Sequence, residues 1–460
     1  MKTTLKKSLT PLFSILFLSL LLFSFKTKNE ENKNSREGSE TNRDSITTEL
    51  KFQLNKIFEL WYPLSIDTVY GGFYSDINYK WELSGKQNKM IVTQARHVWT
   101  NSNAAMYYPD KSKYLQIAEH GYKFLKNVML DKDYGGFYNL VSRSGKPFKD
   151  NGEIIKQAYG NAFAIYGLAA YYKATGDTSA LNLAIQTFNW LDKHSYDPKY
   201  GGYFQFMHRD GTPFINGYRN VPPKDQNSSI HILECFTELY KVWPNPVLKE
   251  RLKSLLFLIR DKMIYKQEYL QLFFNRDLTP VSYRDSSEAA RKKNFELDHI
   301  SFGHNVETAY LMMEACGVLG IKNYYKTLMV GKRMDDFALA NGWDKKHGGI
   351  YDGGYIFKGD KKVKIVKDTK EWWSQVEAMN SFLMMSEYFP HDKINYYEKF
   401  CLQWQYVKKY LLDNVYGGWF FDSIDTAPNM KTYPKGSIWK GNYHTSRGLI
   451  NCIRRLEGKM

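Results

Sequence analysis

Tyr70-Gly71-Gly72-Phe73 decides the reading of this chain, because it keeps returning. Copies stand at Tyr134-Gly135-Gly136-Phe137, Tyr200-Gly201-Gly202-Tyr203, His347-Gly348-Gly349-Ile350 and Tyr416-Gly417-Gly418-Trp419. The first glycines of successive pairs lie 64, 66, 147 and 69 residues apart. The long interval is about two periods, and a degenerate copy, Tyr269-Leu270-Gln271-Leu272-Phe273-Phe274-Asn275, falls in its middle. Paired glycines admit positive φ and flanking aromatics favour short strands, so each copy predicts a small hairpin. Two helical apolar patterns separate each copy from the next. Six helix pairs at a fixed period predict an all-α fold, an (α/α)6 barrel with short β-hairpins between the pairs. The funnel of such a barrel is a natural carbohydrate site.

Composition agrees with one large closed unit. The chain has 460 residues, 43% hydrophobic and 16% aromatic, and the repeat runs through it to the end. Residues 48–460 are therefore expected to form a single barrel domain. Aromatic faces beyond what packing needs suit the apolar side of a pyranose ring. The net charge is +16, of which the first fifty residues carry only +2. No run of five basic residues and no nucleic-acid motif accompanies it, which argues against a nucleic-acid partner. Cys235, Cys316, Cys401 and Cys452 are scattered without metal-ligand or disulfide spacing, which argues against a zinc site and against a disulfide framework.

The amino terminus reads as an address. Met1–Lys7 is basic and Ser8–Phe25 is nearly continuous apolar sequence, the two parts of an export signal or, if uncleaved, of a signal anchor. Residues 1–25 are assigned to it, and residues 26–47, rich in Asn, Glu, Ser and Lys, to a disordered polar spacer. The expectation is a protein exported to the periplasm or the extracellular space, anchored by residues 8–25 if the leader is retained. Monomer or weak homodimer is the expected state.

Six polar-aromatic clusters stand near the starts of apolar helices, where a barrel would point them into one funnel. Arg96 offers a fixed planar cation for a developing oxyanion. Tyr159, Phe163 and Tyr166 share one helix face. Asn227 and His231 lie one turn apart on another. His304 and Glu307 stand at i, i+3, where a carboxylate can hold an imidazole by hydrogen bond, and Gly303 before them leaves room for a ligand to approach the backbone. Trp373 and Glu377 pair a stacking plate with a hydroxyl acceptor. His444 comes from the sixth repeat and His304 from the fourth, so ring closure brings them to one ligand. The competing reading of each residue is packing or surface pairing; convergence from separate repeats favours a site.

These clusters resemble the N-acylglucosamine 2-epimerase family, and within it most closely the cellobiose 2-epimerases, over residues 48 to 456. The resemblance rests on Gln94-Ala95-Arg96-His97-Val98-Trp99, Ile230-His231-Ile232-Leu233-Glu234, Phe302-Gly303-His304 with Glu307, Trp372-Trp373-Ser374-Gln375-Val376-Glu377, and Gly441-Asn442-Tyr443-His444. It implies metal-free and cofactor-free proton transfer at C2 of a reducing-end aldose, with His304 and His444 as the acid/base pair and Arg96 steadying an enediolate. It implies binding roles for His231, Glu307, Trp373 and Glu377, with Glu307 orienting the base; Asn227, Tyr159 and Tyr310 are added as candidate sugar contacts. Departures from the family pattern stand at Asn305 (usually Asp), Tyr310 (usually Trp) and Ser229 (usually His); the second bears on stacking of the distal sugar. An N-acylglucosamine 2-epimerase or mannose isomerase-type activity shares these histidines. A different class, an exported (α/α)6 glycoside hydrolase, would use Glu307 and Glu377 as paired carboxylates. A sugar-binding protein without catalysis is the third reading.

Overall fold

The computed structural model describes residues 42–266 and 268–460. The export or anchor segment of residues 1–25 lies outside the described residues. Among those described, no helix is long and apolar enough to cross a membrane.

The first helix, α1, spans residues 42–61. The polar spacer assigned to residues 26–47 therefore ends earlier, because residues 42–47 are already helical. Ile46, Leu50, Leu54 and Ile57 recur at helical spacing and are all buried, while the polar residues between them occupy the solvent face and gave the segment its loop-like composition. Arg43 Nη2 donates to the carbonyls of Arg455 and Leu456 at 3.4 and 3.2 Å, tying the first helix to the last.

Six helices form the inner ring: α2 (Ile91–Tyr107), α4 (Ala158–Thr175), α6 (Gln226–Val242), α9 (Phe302–Leu319), α11 (Trp372–Tyr388) and α13 (Tyr443–Leu456). Each packs on the next, and α13 returns to α2, so the ring closes. The outer layer is α1, α3 (Ser112–Phe124), α5 (Thr178–His194), α7 (Pro246–Leu258), α10 (Tyr325–Asn341) and α12 (Tyr396–Tyr410). The layers differ as burial requires. The inner helices α4 and α9 are apolar nearly all round, whereas α3 and α5 carry one apolar stripe. A short helix, α8 (Glu288–Asn294), lies in the excursion before α9. This is the expected (α/α)6 barrel.

The Gly-Gly copies are tight turns. Both glycines have positive φ, for example 77° at Gly71 and 67° at Gly72. Single bridges flank them, such as Ile66 with Phe73 and Tyr196 with Tyr203. The degenerate copy pairs Ile264 with Leu270 and Tyr265 with Tyr269 without any glycine, and Lys266 takes the positive φ instead.

What locks each turn to the barrel is a buried ion pair that recurs with the repeat. Lys89, Lys156, Lys224, Lys370 and Lys435 meet Asp67, Asp131, Asp197, Asp344 and Asp413 at 2.6–3.0 Å, with both side chains almost wholly buried. Each aspartate stands four residues before its Gly-Gly pair, and four of the lysines also donate to the carbonyl of the first glycine. A lysine buried among carboxylate and carbonyl oxygens is satisfied in charge and in hydrogen bonds at once. An amide at the fourth position of an inner helix makes the second lock. Gln94, Asn161, Asn305 and Gln375 accept the backbone N–H of Phe137 or its counterparts at 2.7–3.0 Å. Asn305 also donates to the Glu268 carbonyl at 3.2 Å, which an ionised aspartate at that position could not do. The departure from Asp to Asn thus belongs to the hairpin, away from the ligand.

Candidate active site

Counting along each inner helix from its first residue explains how separate repeats build one site. Tyr159, Asn227, Trp373 and His444 occupy the second position of α4, α6, α11 and α13. Arg96, His231, Glu307 and Glu377 occupy the sixth position, one turn deeper, of α2, α6, α9 and α11. Residues four apart on a helix share a face, so two stacked rings of side chains point down the funnel.

The funnel holds a cavity of about 310 Å³. Eight of the ten residues singled out from sequence line it: Arg96, Tyr159, Asn227 and His231 on one side, His304, Glu307, Trp373 and His444 on the other. Tyr310 and Glu377 do not. Both are 0% exposed, and the Tyr310 hydroxyl donates to Glu377 Oε2 at 2.6 Å beneath the cavity floor. Tyr310 therefore stacks on no ligand, and Glu377 supports the site from below instead of holding a sugar.

The histidine partners also differ from expectation. Glu307 does not hold His304; the His304 Nδ1 pairs with Ser301 Oγ at 2.7 Å, immediately before α9. The carboxylate-held imidazole is His444, whose Nδ1 lies 2.7 Å from Glu377 Oε1, and His231 Nδ1 is likewise paired with Glu234 Oε2 at 2.8 Å. An i, i+3 spacing permits a contact, but the Glu307 carboxylate is taken by a cation that the reading of the sequence left unused. Arg447 Nη2 donates to Glu307 Oε1 at 2.5 Å and to Glu377 Oε1 at 2.7 Å, and Nη1 donates to Glu234 Oε1. Arg447 is thus the buried hub for three carboxylates from three helices. The sequence held one signal for it: three acids at inward positions with no cation yet assigned to them. The oxygens of Glu307 and Glu377 and the His444 ring have metal-ligand proximity, and Arg447 supplies the positive charge there.

Burial sets the protonation of the two cavity imidazoles. Desolvation, helped by the nearby His231, His299 and His444, pulls His304 down to about 3. Desolvation, then the Arg96 and Arg447 cations, pull His444 far below the ordinary histidine range. Glu377 does not reverse this, since Arg447 already balances its charge. Both imidazoles are neutral. A carboxylate can only accept, so His444 carries its proton on Nδ1 and leaves the Nε2 lone pair to a ligand. A hydroxyl both donates and accepts, so His304 beside Ser301 is free to take either tautomer.

Arg96 is aimed into the cavity by stacking. Its guanidinium lies 4.2 Å from the Phe163 ring centre and 4.7 Å from that of Tyr443, and Nη2 donates to the Tyr159 hydroxyl at 3.0 Å. Arg96 Nε and Glu307 Oε2 are buried without a protein partner, a donor and an acceptor left for a polar ligand. Trp373 lies 4.7 Å from His304 and 5.8 Å from His444 between ring centres. Ser374 and the edge of that indole fill the space beside Gly303, where a Cβ would stand 2.8 Å from the ring; the glycine admits these two side chains, and not a ligand to the backbone. Four further lining residues, Glu371, Trp372, Phe421 and Trp439, come from the approaches to α11 and α13. Trp439 is 48% exposed at the rim, and no helical periodicity marks it.

The model of the N-acylglucosamine 2-epimerase (GlcNAc 2-epimerase) family matches residues 72–446. A cellobiose 2-epimerase from Bacteroides fragilis is 28% identical over 408 residues, covering 86% of this chain and 96% of that one. A cellobiose 2-epimerase from Ruminococcus albus is 30% identical over 424 residues, covering 89% and 99%. The solved structure of cellobiose 2-epimerase from Spirochaeta thermophila superposes with a TM-score of 0.76 at 29% identity, covering 91% of this chain and 98% of that one. A family match over residues 72–446, with a relative 30% identical across 89% of this chain, places the chain in the N-acylglucosamine 2-epimerase family.

Proposed function

We propose that this protein is a sugar 2-epimerase that interconverts the C2 epimers of the reducing-end aldose of a β-1,4-linked disaccharide of the cellobiose type. The observation that carries the reading is a pair of neutral imidazoles, His304 and His444, from different helices on one cavity, each with Nδ1 engaged and Nε2 left for the ligand. A hydrolase needs two carboxyls free to act as acid and as base or nucleophile across a glycosidic bond. Here Glu377 is enclosed and Glu307 is ion-paired to Arg447, which disfavours that reading.

The sugar ring opens to the free aldehyde. One imidazole removes the proton from C2, and the electron pair moves toward the carbonyl, giving a cis-enediolate. Arg96 stabilises the charge gathering on the oxygens, aided by its position in a site from which water is largely excluded. Rotation about C2–C3 exposes the opposite face, and the second imidazole, which takes up a proton from solvent once the negative enediolate faces it, delivers that proton to C2 while the first returns its own to solvent. A neutral imidazole is a competent base at pH 7 and its conjugate acid a competent donor, so one residue type serves both directions. Trp373 covers the ring face beside the histidines, Trp439 at the rim stacks on the distal sugar, and Glu307 Oε2 accepts a sugar hydroxyl. Export, which rests on the basic-apolar segment at residues 1–25, would place this chemistry outside the cytoplasm.

Proton NMR of the protein incubated with cellobiose in heavy water tests the reading. The expected product is the glucosyl-mannose epimer carrying deuterium at C2. Release of free glucose would overturn it in favour of hydrolysis.

A further inference from the structure

Glu371 lines the cavity and belongs to no motif that led to the site. It is the residue immediately before α11, in extended conformation, and backbone pairing sets it beside Asp422 in an antiparallel bridge. Its own N–H donates to Asp352 Oδ1 at 2.9 Å. Carboxylate oxygens of Asp352, Glu371 and Asp422 consequently all lie within 4.8 Å of one another. They are not equivalent. Asp352 accepts from the Glu371 N–H, from Thr369 Oγ1 at 2.6 Å and from Ser374 Oγ at 3.4 Å, donors that offset part of the upward push burial gives its carboxyl. Asp422 Oδ1 is buried without a partner. Glu371 Oε2 accepts the indole N–H of Trp373, the ring that touches both His304 and His444.

We propose that Glu371 is a positioning residue for the epimerisation: one oxygen fixes the Trp373 plate against both imidazoles, and the other is offered to a sugar hydroxyl in the cavity. This rests on the epimerase reading above and adds a residue to it. Crowding decides the charge. Facing Glu371 are Asp352 from the turn before the Gly353–Tyr355 strand, Asp422 from the preceding bridge, Lys367 on the Lys364–Lys367 strand, and Lys440 on the approach to α13. Lys367 is engaged by Glu296 at 2.7 Å, and Lys440 donates to the Trp419 carbonyl at 2.8 Å. Neither cation neutralises the cluster fully. Burial, then Asp352, push the Glu371 carboxyl up to about 8, so at neutral pH it bears a proton and can donate as well as accept. Above that value a further negative charge appears beside the cavity, and the hydroxyl donor is lost.

The test compares Glu371→Gln and Glu371→Ala by kcat and KM on cellobiose across pH, with near-ultraviolet circular dichroism and a Trp373→Phe control to follow the indole. The amide keeps an acceptor for the indole and a donor for the sugar, so E371Q should lose only about 3-fold in kcat, and its profile should lack the alkaline fall near pH 8 expected of the wild type. E371A frees the plate, and kcat should fall about 100-fold, the scale of a misplaced reacting group. The dichroism band that W373F abolishes should weaken in E371A and persist in E371Q. Equal kcat losses in the two variants, or an alkaline limb unchanged in E371Q, would overturn the proposal. A wild type that epimerises nothing would instead sink the epimerase reading, and the dichroism would then decide alone whether Glu371 holds Trp373.

Discussion

Replacing Glu377 by glutamine tests the two-base mechanism more sharply than removing either histidine. The substitution is nearly isosteric at a site that is 0% exposed. Arg447 retains Glu234 and Glu307, so the hub still has two carboxylates. What changes is His444. Arg447 Nη2 and His444 Nδ1 both lie 2.7 Å from Glu377 Oε1, whereas the Tyr310 hydroxyl donates to Oε2. The amide oxygen therefore keeps the Oε1 place, and the amide N–H groups turn to the Tyr310 oxygen, which can accept. His444 keeps its tautomer but loses the carboxylate charge that would balance its protonated form, so it takes the C2 proton poorly. Loss of a correctly poised base costs about 10²- to 10⁴-fold in rate. The other imidazole is untouched, because His304 is held by Ser301. In heavy water E377Q should therefore form epimer at least about 100-fold more slowly while still exchanging deuterium into C2 of one epimer by way of His304. NMR distinguishes the two rates in a single tube. If exchange and epimerisation fall by the same factor for both epimers, one base serves both faces and the argument is wrong.

The hairpin lock predicts stability. Lys224, wholly buried, donates to Asp197 at 2.9 Å and to the Gly201 and Arg276 carbonyls at 2.7 Å; K224M should cost about 3–5 kcal/mol in urea denaturation, and D197N added to it should recover part of that loss. His97 is buried against Phe73 with ring centres 4.4 Å apart, and burial holds it at about 3 against 6.5 when unfolded. The unfolded chain therefore binds a proton that the fold refuses, and stability is lost as pH falls below 6.5, by up to about 1.4 kcal/mol per pH unit; H97F should remove that share of the slope. At Gly303 an added Cβ meets Ser374 first and then the Trp373 indole, the latter at 2.8 Å; G303A should lower the thermal midpoint by a few degrees and kcat/KM about 10- to 100-fold by displacing both side chains, and unchanged kinetics would refute that role.

The barrel was legible because its punctuation is local: these turns need positive φ at two successive residues and a Gly-Gly pair supplies it without strain, so the repeat survives divergence of much that lies between. The locks were not legible, although Asp67, Asp131, Asp197, Asp344 and Asp413 hold a fixed offset to those pairs. Their lysines stand at variable distances downstream, and a lone Lys in a polar loop reads as solvated until the fold buries it. The lining residues were found because inward positions near helix starts repeat from helix to helix; their partners were misjudged because hydrogen bonds between helices leave no trace in spacing. His304 and Glu307 satisfied the rule for an i, i+3 pair, and the rule lost to Arg447, a cation from another helix whose pairing with three buried carboxylates outweighs one imidazole contact. The same competition explains why Tyr310 and Glu377 sit below the cavity. The second and sixth positions can reach a ligand, while a side chain that satisfies the hub must turn toward it. Function in this fold therefore divides by depth. The first turns of the inner helices meet the sugar, and in the layer beneath them Glu377 holds the His444 proton on Nδ1.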